Sequence, residues 1–535
     1  MSYNRRAFLK KTITTAAVTA LSGTGLLKSN ARRDSFSIQD IGKTSDEERK
    51  QLIAEAQFGR KTLARSKEGM VISSHPLPTR EAIKILKSGG NACDAALCAS
   101  ITQTVIEPHL TGITGVLSML YFDAASGKTT CIDGAWNPTL KAAVDVPGWW
   151  AGFEEALRRY ASKPKKQIMA PAIRYARDGF EIHPFLWGAM FAQCHVLGRT
   201  EQGREIYMPQ NTMIRPGDML YQKRAADTLE RLAEEGNDFF YHGEFAEDFC
   251  KVIQEAGGMI TRKDMEAYEA LWIEPKWGKY REYEIVSGGS ALIELFSKIE
   301  PLEIKKLGPP TDSAETLYQM VSIITGLGKD AKKEDAQNHP IPLEASLQAR
   351  ENGSYNPGTC VVSVIDRDGN IAAVLHSSNA GIFQSGLFVK GVFIMGGNRL
   401  LVKQKPGQRS SGAHICSIFF KNKRPLLVSG SPSISLLPNI IQNTTNILDF
   451  GIPIEESVCR PRFGGRSNMT PNTALIEVDI NEKVRKGAEE KGLRFDIVNP
   501  WNMSLGSFEG IYIGPESGEM RACGDPRRCS KAEGI

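Results

Sequence analysis

The 535-residue sequence lacks any run of about 20 consecutive apolar residues, so none of it is typical of a transmembrane helix. It also lacks a global charge excess. Its formal net charge of +5 equals that of residues 1–31, which hold five basic residues and no acidic one. The near-neutral remainder offers no positive field for nucleic acid or an anionic membrane surface. Hydrophobic residues at 41% and charged residues at 24% exclude a disordered chain and indicate a globular protein.

Motifs of common metal and cofactor sites are missing too. The ten cysteines form no CxxC pair, the eight histidines show no metal-ligand spacing, and HExxH and GxSxG are absent. Both Gly-Lys-Thr tripeptides lack the earlier glycine of a phosphate-binding loop, because Ser37 and Phe122 stand in its place. The sequence therefore predicts no metal and no organic cofactor.

The first 31 residues resemble an export signal. Arg5-Arg6 and Phe8-Leu9-Lys10 precede a short apolar stretch, which ends in the small residues 29–31. Adjacent arginines in this setting are typical of a bacterial twin-arginine signal, which exports folded proteins. We therefore expect a periplasmic or exported protein whose mature chain begins near Arg32.

Periodicity gives a coarse outline of the rest. It predicts helices over residues 80–87, 94–105, 223–236 and 245–256, and strands over residues 71–74 and 115–123. The charged residues 45–66 are interpreted as one surface helix, and the polar residues 300–357 as a long surface segment. Strands become dense after residue 358.

The most informative stretch is residues 357–379. Residues 360–365 and 371–375 are strand-like, and Asp368-Gly369 between them is a strong hairpin signal. A turn centred there places Thr359 opposite residue 378, give or take one, so Ser377 and Asn379 lie beside it. The sequence leaves open which of the two shares a face with Thr359, because a one-residue change of register swaps them.

A threonine at a strand start, behind a flexible glycine, has a specific chemical use. Cleavage of the Gly358–Thr359 bond would free an α-amine that can act as general base for the threonine's own hydroxyl. The reference pKa of such an amine, about 7.7–8.0, suits base catalysis near neutral pH. Taken alone, the pattern favours an ordinary hairpin, because Gly-Thr before a strand is common.

Motifs from about residue 60 to the end resemble the γ-glutamyltranspeptidase family. In family order they are residues 69–76 (GMVISSHP), 89–96 (GGNACDAA), 107–109 (EPH), 146–148 (VPG), 170–173 (APAI), 179–180 (GF), 358–359 (GT), 363–370 (SVIDRDGN), 409–411 (RSS), 430–432 (GSP), 460–463 (RPRF) and 524–527 (GDPR). So many ordered matches make the resemblance specific to this family.

The resemblance implies an N-terminal-nucleophile hydrolase of the α+β class, built as a four-layer αββα sandwich. It implies a precursor that cuts itself between Gly358 and Thr359. A large subunit, residues 32–358, would stay associated with a small subunit, residues 359–535. It implies a small-molecule amide as substrate and no cofactor.

The resemblance also assigns roles to single residues. Thr359 matches the nucleophile, and Ser377 matches the second catalytic Thr/Ser, which hydrogen-bonds the nucleophile's amine. The family's positions for binding the acyl group fall at Asn379, Ser410 and Ser411. Its oxyanion-hole glycine pair falls at Ser433 and Ile434, whose backbone N–H groups remain available as donors.

The sequence departs from the family pattern where the substrate is held. The arginine that pairs with the substrate α-carboxylate should fall within residues 133–138 (DGAWNP), which contain none. Residues 396–399 (GGNR) hold glycines and a basic residue where the acidic and amide groups for the α-amine are expected. Loss of a charge-assisted contact of this kind costs roughly 1.5–3 kcal/mol.

Three functions therefore remain open. The first is a γ-glutamyl hydrolase or transferase acting on glutathione-like amides. The second is an amidohydrolase or acylase of the same superfamily with a non-glutamyl acyl donor. The third is a non-catalytic binding protein that no longer matures, against which the retained Gly358, Thr359, Ser377 and Asn379 argue.

Two cysteine assignments follow from strand alternation and spacing. Cys360 comes directly after Thr359, so its side chain is expected on the other face of the strand, packed and not catalytic. Cys523 and Cys529 are close enough in sequence to form a disulfide, and the sequence leaves this open.

Overall fold

The computed structural model describes residues 45–137, 145–328, 357–381, 383, 385–395, 409, 414–467 and 470–535. The predicted export signal, residues 1–31, lies outside the described residues. Within the described ranges, no helix is long and apolar enough to cross a membrane.

The strands within the described ranges are numbered in chain order. They are β1 (Leu63–Ser66), β2 (Met70–Ser73), β3 (Val116–Asp123), β4 (Lys128–Gly134), β5 (Phe180–Glu181), β6 (Met219–Leu220), β7 (Leu271–Ile273), β8 (Lys276–Tyr280), β9 (Tyr283–Ser287), β10 (Pro357–Ile365), β11 (Ile371–Gly381), β12 (Phe388–Val389), β13 (Val392–Phe393), β14 (Ser417–Lys421), β15 (Arg424–Ser429), β16 (Phe463–Arg466), β17 (Ala474–Glu477), β18 (Phe495–Val498), β19 (Ile511–Ile513), β20 (Met520–Cys523) and β21 (Lys531–Gly534).

The α-helices in the same ranges are numbered likewise. They are α1 (Asp46–Glu55), α2 (Pro76–Lys87), α3 (Ala92–Ile106), α4 (Trp149–Tyr160), α5 (Lys165–Asp178), α6 (Pro184–Ala192), α7 (Cys194–Leu197), α8 (Glu201–Tyr207), α9 (Lys223–Glu235), α10 (Glu244–Glu255), α11 (Arg262–Glu266), α12 (Ala291–Ile299), α13 (Ile304–Leu307), α14 (Ala314–Thr325), α15 (Leu436–Leu448), α16 (Ile454–Ser457) and α17 (Glu482–Glu490).

Two antiparallel seven-stranded sheets form the centre of the described chain. The first has the order β21-β2-β10-β11-β3-β4-β7, and the second has the order β1-β20-β19-β15-β14-β9-β8. Helices α2, α3 and α4 pack on the first sheet, and α12 packs on the second. The sheets meet face to face, as where the ring of Phe122 lies 5.3 Å from that of Phe420. The predicted α+β fold, a four-layer αββα sandwich, is therefore confirmed.

Strands β10 and β11 lie at the middle of the first sheet, and both faces are covered. Residues 371–375, and residues 360–365 apart from Ser363, are accordingly apolar on both faces rather than alternating. Helix α3 packs against both strands and begins with a capping box. In this box Asn91 accepts a hydrogen bond from the Asp94 amide, and the Asp94 carboxylate accepts one from the Asn91 amide. The helix thus starts at a defined residue behind the central strands.

Two coarse predictions need correction. Only residues Asp46–Glu55 of the predicted 45–66 helix are helical, because Leu63–Ser66 pairs with β20 at a sheet edge. The predicted surface segment 300–357 contains α13 and α14, and α14 buries Leu317 and Val321. The first miss arose because pairing with a distant strand decided residues 63–66. The second arose because α14 (AETLYQMVSIIT) is an apolar helix inside a stretch that is polar on average. Residues 329–356 lie outside the described ranges.

A buried ion-pair network ties the C-terminal strands to the rest. Arg527 is fully buried, and its Nε lies 2.9 Å from Glu477 at the end of β17. It also donates to the backbone carbonyls of Val458 and Arg460. Nearby, Arg462 pairs with Asp525 at 2.6 Å. Because the following strand β21 pairs with β2, which in turn pairs with β10, this network supports the centre of the first sheet.

We expect Glu477→Gln to lower the free energy of unfolding by about 3–5 kcal/mol, because the buried Arg462 and Arg527 would be left to share the single carboxylate of Asp525. Urea denaturation followed by circular dichroism measures this loss. The control is Glu482→Gln, which breaks an exposed ion pair with Lys486 and is expected to leave the unfolding midpoint unchanged. Equal midpoints for the two variants would contradict the prediction.

Candidate active site

The hairpin of β10 and β11 places Thr359 directly opposite Ser377. The observed register is within one residue of the predicted one, and it makes Ser377 the residue that shares a face with Thr359 by direct pairing. The turn holds this register from the far end. The Asp366 carboxylate accepts hydrogen bonds from the backbone amides of Asp368 and Asn370, both at 3.0 Å.

Gly358 stands at a close approach of three chain segments. A Cβ added there would lie 2.5 Å from the Leu110 Cα and 2.7 Å from the Ser378 hydroxyl oxygen. The ladder is irregular between Pro357 and Thr359, and the Ser378 amide donates to the Leu110 carbonyl at 2.9 Å. Only glycine fits at this position without moving backbone, which explains the glycine before Thr359 physically.

The carbonyl oxygen of Gly358 is surrounded by hydroxyl groups. The Thr359 hydroxyl donates to it at 2.8 Å, Ser378 donates at 3.3 Å, and the Ser377 hydroxyl also donates to it. The Thr359 and Ser377 hydroxyl oxygens are 2.8 Å apart. Thr359 is 5% exposed and Ser377 1% exposed, so bulk water competes little for these contacts. The structure thus brings the predicted nucleophile, the predicted second catalytic residue and the predicted scissile bond into direct contact.

The other predicted site residues are placed less completely. Asn379 lies in β11 two residues after Ser377, and the structure describes only its backbone. Ser410 and Ser411 lie outside the described residues. Their roles in binding the acyl group stay predictions.

Ser433 and Ile434 lie in the loop between β15 and α15. This loop begins beside the Thr359 strand, because a Cβ on Gly430 would lie 2.7 Å from the Val361 side chain. Ser433 has a left-handed φ of 87°, and its hydroxyl donates to the Ser504 carbonyl at 2.8 Å. A non-glycine residue in this conformation is unusual and marks a backbone held by its surroundings. The predicted oxyanion role stays a prediction.

A buried polar network lies on the opposite face of the same two strands. His376 precedes Ser377, and its Nδ1 lies 2.8 Å from the Thr111 hydroxyl and 3.3 Å from the Trp149 indole nitrogen. Because an indole N–H can only donate, Nδ1 accepts and the imidazole proton resides on Nε2. That Nε2 donates to the Gln103 side-chain oxygen at 2.8 Å. Burial lowers the pKa of His376 to about 3, so the ring is neutral.

The network continues to the residue after the nucleophile. The Gln103 amide donates to Glu107 at 2.9 Å, and Glu107 also accepts from Ser74 at 2.9 Å and from the Cys360 thiol at 3.6 Å. Burial raises the pKa of Glu107, although these hydrogen bonds act in the opposite direction. Cys360 is thus packed on the far face, as predicted. Sequence reasoning missed the network, because Gln103 on α3 and Glu107 at its end are more than 250 residues from their partners on the hairpin.

Asp133 lies on the same sheet face as Thr359, since the register of β4, β3, β11 and β10 aligns them. Its carboxylate lies 3.1 Å from the His414 Nε2 and 3.8 Å from the Arg409 Nε. Although burial acts in the opposite direction, these two neighbours hold the pKa of Asp133 below its ordinary value. Arg409 also stacks on Tyr268. Residues 133–138 contain no arginine, but Arg409 from a distant part of the chain lies beside Asp133 and is paired with its carboxylate.

No metal site or disulfide emerges from the described part of the chain. No group of three or more His, Cys, Asp or Glu side chains there is arranged to hold a metal ion. The rings of His75 and His183 lie 4.5 Å apart, and burial lowers the pKa of both. Cys523 and Cys529 are both free and buried.

Comparisons with known proteins agree with the fold described above. The model of the family described as Gamma-glutamyltranspeptidase matches residues 79–137, 136–324 and 322–535. The chain is 28% identical over 537 aligned positions to the glutathione hydrolase proenzyme of Escherichia coli (strain K12), covering 86% of this chain and 91% of that one. It is 26% identical over 463 positions to the acylase ACY 1 proenzyme of Pseudomonas sp. (strain SE83), covering 75% and 83%.

A solved structure supports the same fold. The cephalosporin acylase from Bacillus halodurans superposes with a TM-score of 0.75 and covers 89% of this chain and 98% of its own. The sequence identity is 23%, so this likeness shows the fold alone.

We expect the stability of the protein to fall as the pH drops below about 6.5, in part because the neutral His376 must take up a proton on unfolding. Its pKa is about 3 in the folded state, so the loss extends from pH 6.5 towards pH 3. His376→Gln removes this titrating group. It therefore reduces the slope of the free energy of unfolding against pH by up to about 1.4 kcal/mol per pH unit. Urea midpoints between pH 7.5 and 4.5 measure it, with the exposed His242→Gln as the control for loss of an imidazole. Parallel curves for wild type and His376→Gln would refute the assignment.

Proposed function

This chain belongs to the gamma-glutamyltranspeptidase family, and from that premise we propose that it is a self-processing threonine amidase. The precursor cuts its own Gly358–Thr359 bond, and residues 32–358 and 359–535 remain together as large and small subunits. Thr359, now N-terminal, then attacks the carbonyl carbon of a small-molecule amide.

The contact between Thr359, Ser377 and the Gly358 carbonyl is the observation that carries this proposal. The Thr359 hydroxyl is held against the carbonyl group that it must attack, and hydroxyl donors polarise that same oxygen. Such an arrangement brings nucleophile and electrophile together before any reaction, which removes much of the entropic barrier. A non-catalytic binding protein has no need of this contact, which argues against the third open function.

Turnover uses the amine that self-cleavage releases. This α-amine takes the proton of the Thr359 hydroxyl, and Ser377, 2.8 Å from that hydroxyl, orients the pair. Backbone N–H groups of Ser433 and Ile434 hold the oxyanion. Water or an acceptor amine then resolves the ester. Asn379, Ser410 and Ser411 bind the acyl group.

The acyl donor we propose is a γ-glutamyl amide of the glutathione type. The family membership and the relative named glutathione hydrolase proenzyme support this choice.

A second candidate donor carries a different acyl group. The pairing of Asp133 with both Arg409 and His414 favours it, because an arginine already paired with a protein carboxylate is less available to a substrate carboxylate. The relative named acylase ACY 1 proenzyme supports the same candidate.

We expect the wild-type chain to run as two fragments on a denaturing gel, the smaller beginning at Thr359 by intact mass. Thr359→Ala should run as one uncut chain, because the attacking hydroxyl is gone. Thr359→Ser keeps a hydroxyl and is the matched control that should still be cut. A single uncut wild-type chain, purified in folded form, would rule out self-processing.

The acyl donor is tested with three 4-nitroanilides that differ one group at a time: γ-glutamyl, glutaryl without the α-amine, and butyryl without the carboxylate as well. We expect kcat/KM for the γ-glutamyl anilide to exceed that for the butyryl anilide by at least about tenfold, the value of one charge-assisted contact. Thr359→Ala gives the background rate. Equal or faster cleavage of the butyryl anilide would select the second candidate.

A further inference from the structure

Ser378 touches the scissile peptide, yet the proposed turnover has no use for it. Its hydroxyl donates to the Gly358 carbonyl oxygen at 3.3 Å, and the residue is 2% exposed. Its backbone is fixed by the hydrogen bond from its amide to the Leu110 carbonyl. This serine was not among the residues that the sequence singled out.

The two serines reach the same oxygen from different sides. Ser377 shares a face with Thr359, its direct partner. The Ser378 hydroxyl oxygen instead lies 2.7 Å from the site of a Cβ on Gly358, so it reaches the carbonyl oxygen from the side to which a side chain at position 358 would point.

We propose that Ser378 is a catalytic residue of self-cleavage and not of turnover. This inference rests on the proposed function. Its hydroxyl stabilises the negative charge that develops on the Gly358 carbonyl oxygen, together with the hydroxyl of Ser377. Once the bond is cut, the Gly358 carboxylate is a chain end that turnover does not use, and Ser378 has no further chemical task.

The step balances without any reagent except water. The Thr359 hydroxyl oxygen adds to the Gly358 carbonyl carbon, and the carbonyl electron pair moves onto the oxygen that Ser377 and Ser378 contact. As that pair returns, the carbon–nitrogen bond breaks, and the proton from the threonine hydroxyl passes to the nitrogen. An ester and a free α-amine result. Water hydrolyses the ester to the Gly358 carboxylate and restores the Thr359 hydroxyl.

The test follows cleavage of newly made precursor. Full-length chain is produced by cell-free synthesis, synthesis is stopped, and the cut fraction is followed over time on denaturing gels. Ser378→Ala should slow cleavage by about tenfold, less than the roughly 10²–10³-fold that loss of a well-placed donor costs, because the contact is long. Ser378→Thr keeps the hydroxyl and should restore the rate. Mature Ser378→Ala enzyme, counted by its free Thr359 N-termini, should match wild-type kcat on the fastest of the three anilides.

The matched control is Ser363→Ala. Ser363 lies on β10, is fully buried, and donates to the Glu509 carbonyl at 2.8 Å, so it loses the same kind of bond at a peptide that is not cut. Wild-type cleavage rates in Ser378→Ala, or equal slowing in Ser363→Ala, would overturn the proposal. So would a matching fall in mature kcat. An uncut wild-type precursor would instead refute the proposed function itself, which keeps the two failures distinct.

Discussion

The hydroxyl of Thr359 meets that of Ser377 only because β10 and β11 keep one register along the hairpin. A shift by one residue would turn Ser377 to the opposite face and leave Thr359 beside a different side chain. Hydrogen bonds stabilise this register at the turn of the hairpin and near the site. At the turn, the Asp366 carboxylate holds the chain and also accepts a hydrogen bond from Ala92 at the start of α3. Near the site, His376 and Cys360 adjoin Ser377 and Thr359. They are hydrogen-bonded to Gln103 on α3 and to Glu107 directly after it.

Much of the hairpin could be predicted from local sequence. Asp-Gly at 368–369 is a strong turn signal, and counting outward from it locates Thr359 beside Ser377 to within one residue. The αββα sandwich followed from ordered motifs spread along the chain rather than from periodicity. The turn signal and each single motif consist of contiguous residues. Such local patterns can be identified without knowledge of the rest of the fold.

The remainder depended on contacts between distant segments. No local pattern predicts that Gln103 on α3 and Glu107 directly after it contact His376 and Cys360. The pairing of Arg409 with Asp133 joins residues far apart in sequence, so neither segment alone predicts it. Tertiary placement, not composition, decides such positions. The predicted surface segment failed for another reason, because the polar average of residues 300–357 concealed the apolar residues of α14.

The order of strands in the first sheet has a consequence for the life of the protein. Strands β10 and β11 lie between β2 and β3, and β21 lies on the outer side of β2. A cut before Thr359 would therefore leave two polypeptides interleaved in one hydrogen-bonded sheet. They could part only if the sheet came apart, and rejoining would be a slow encounter between two partly folded molecules rather than a closure within one chain. The kinetic stability of the cut protein would be set by its unfolding rate, so a single unfolding event would end its activity.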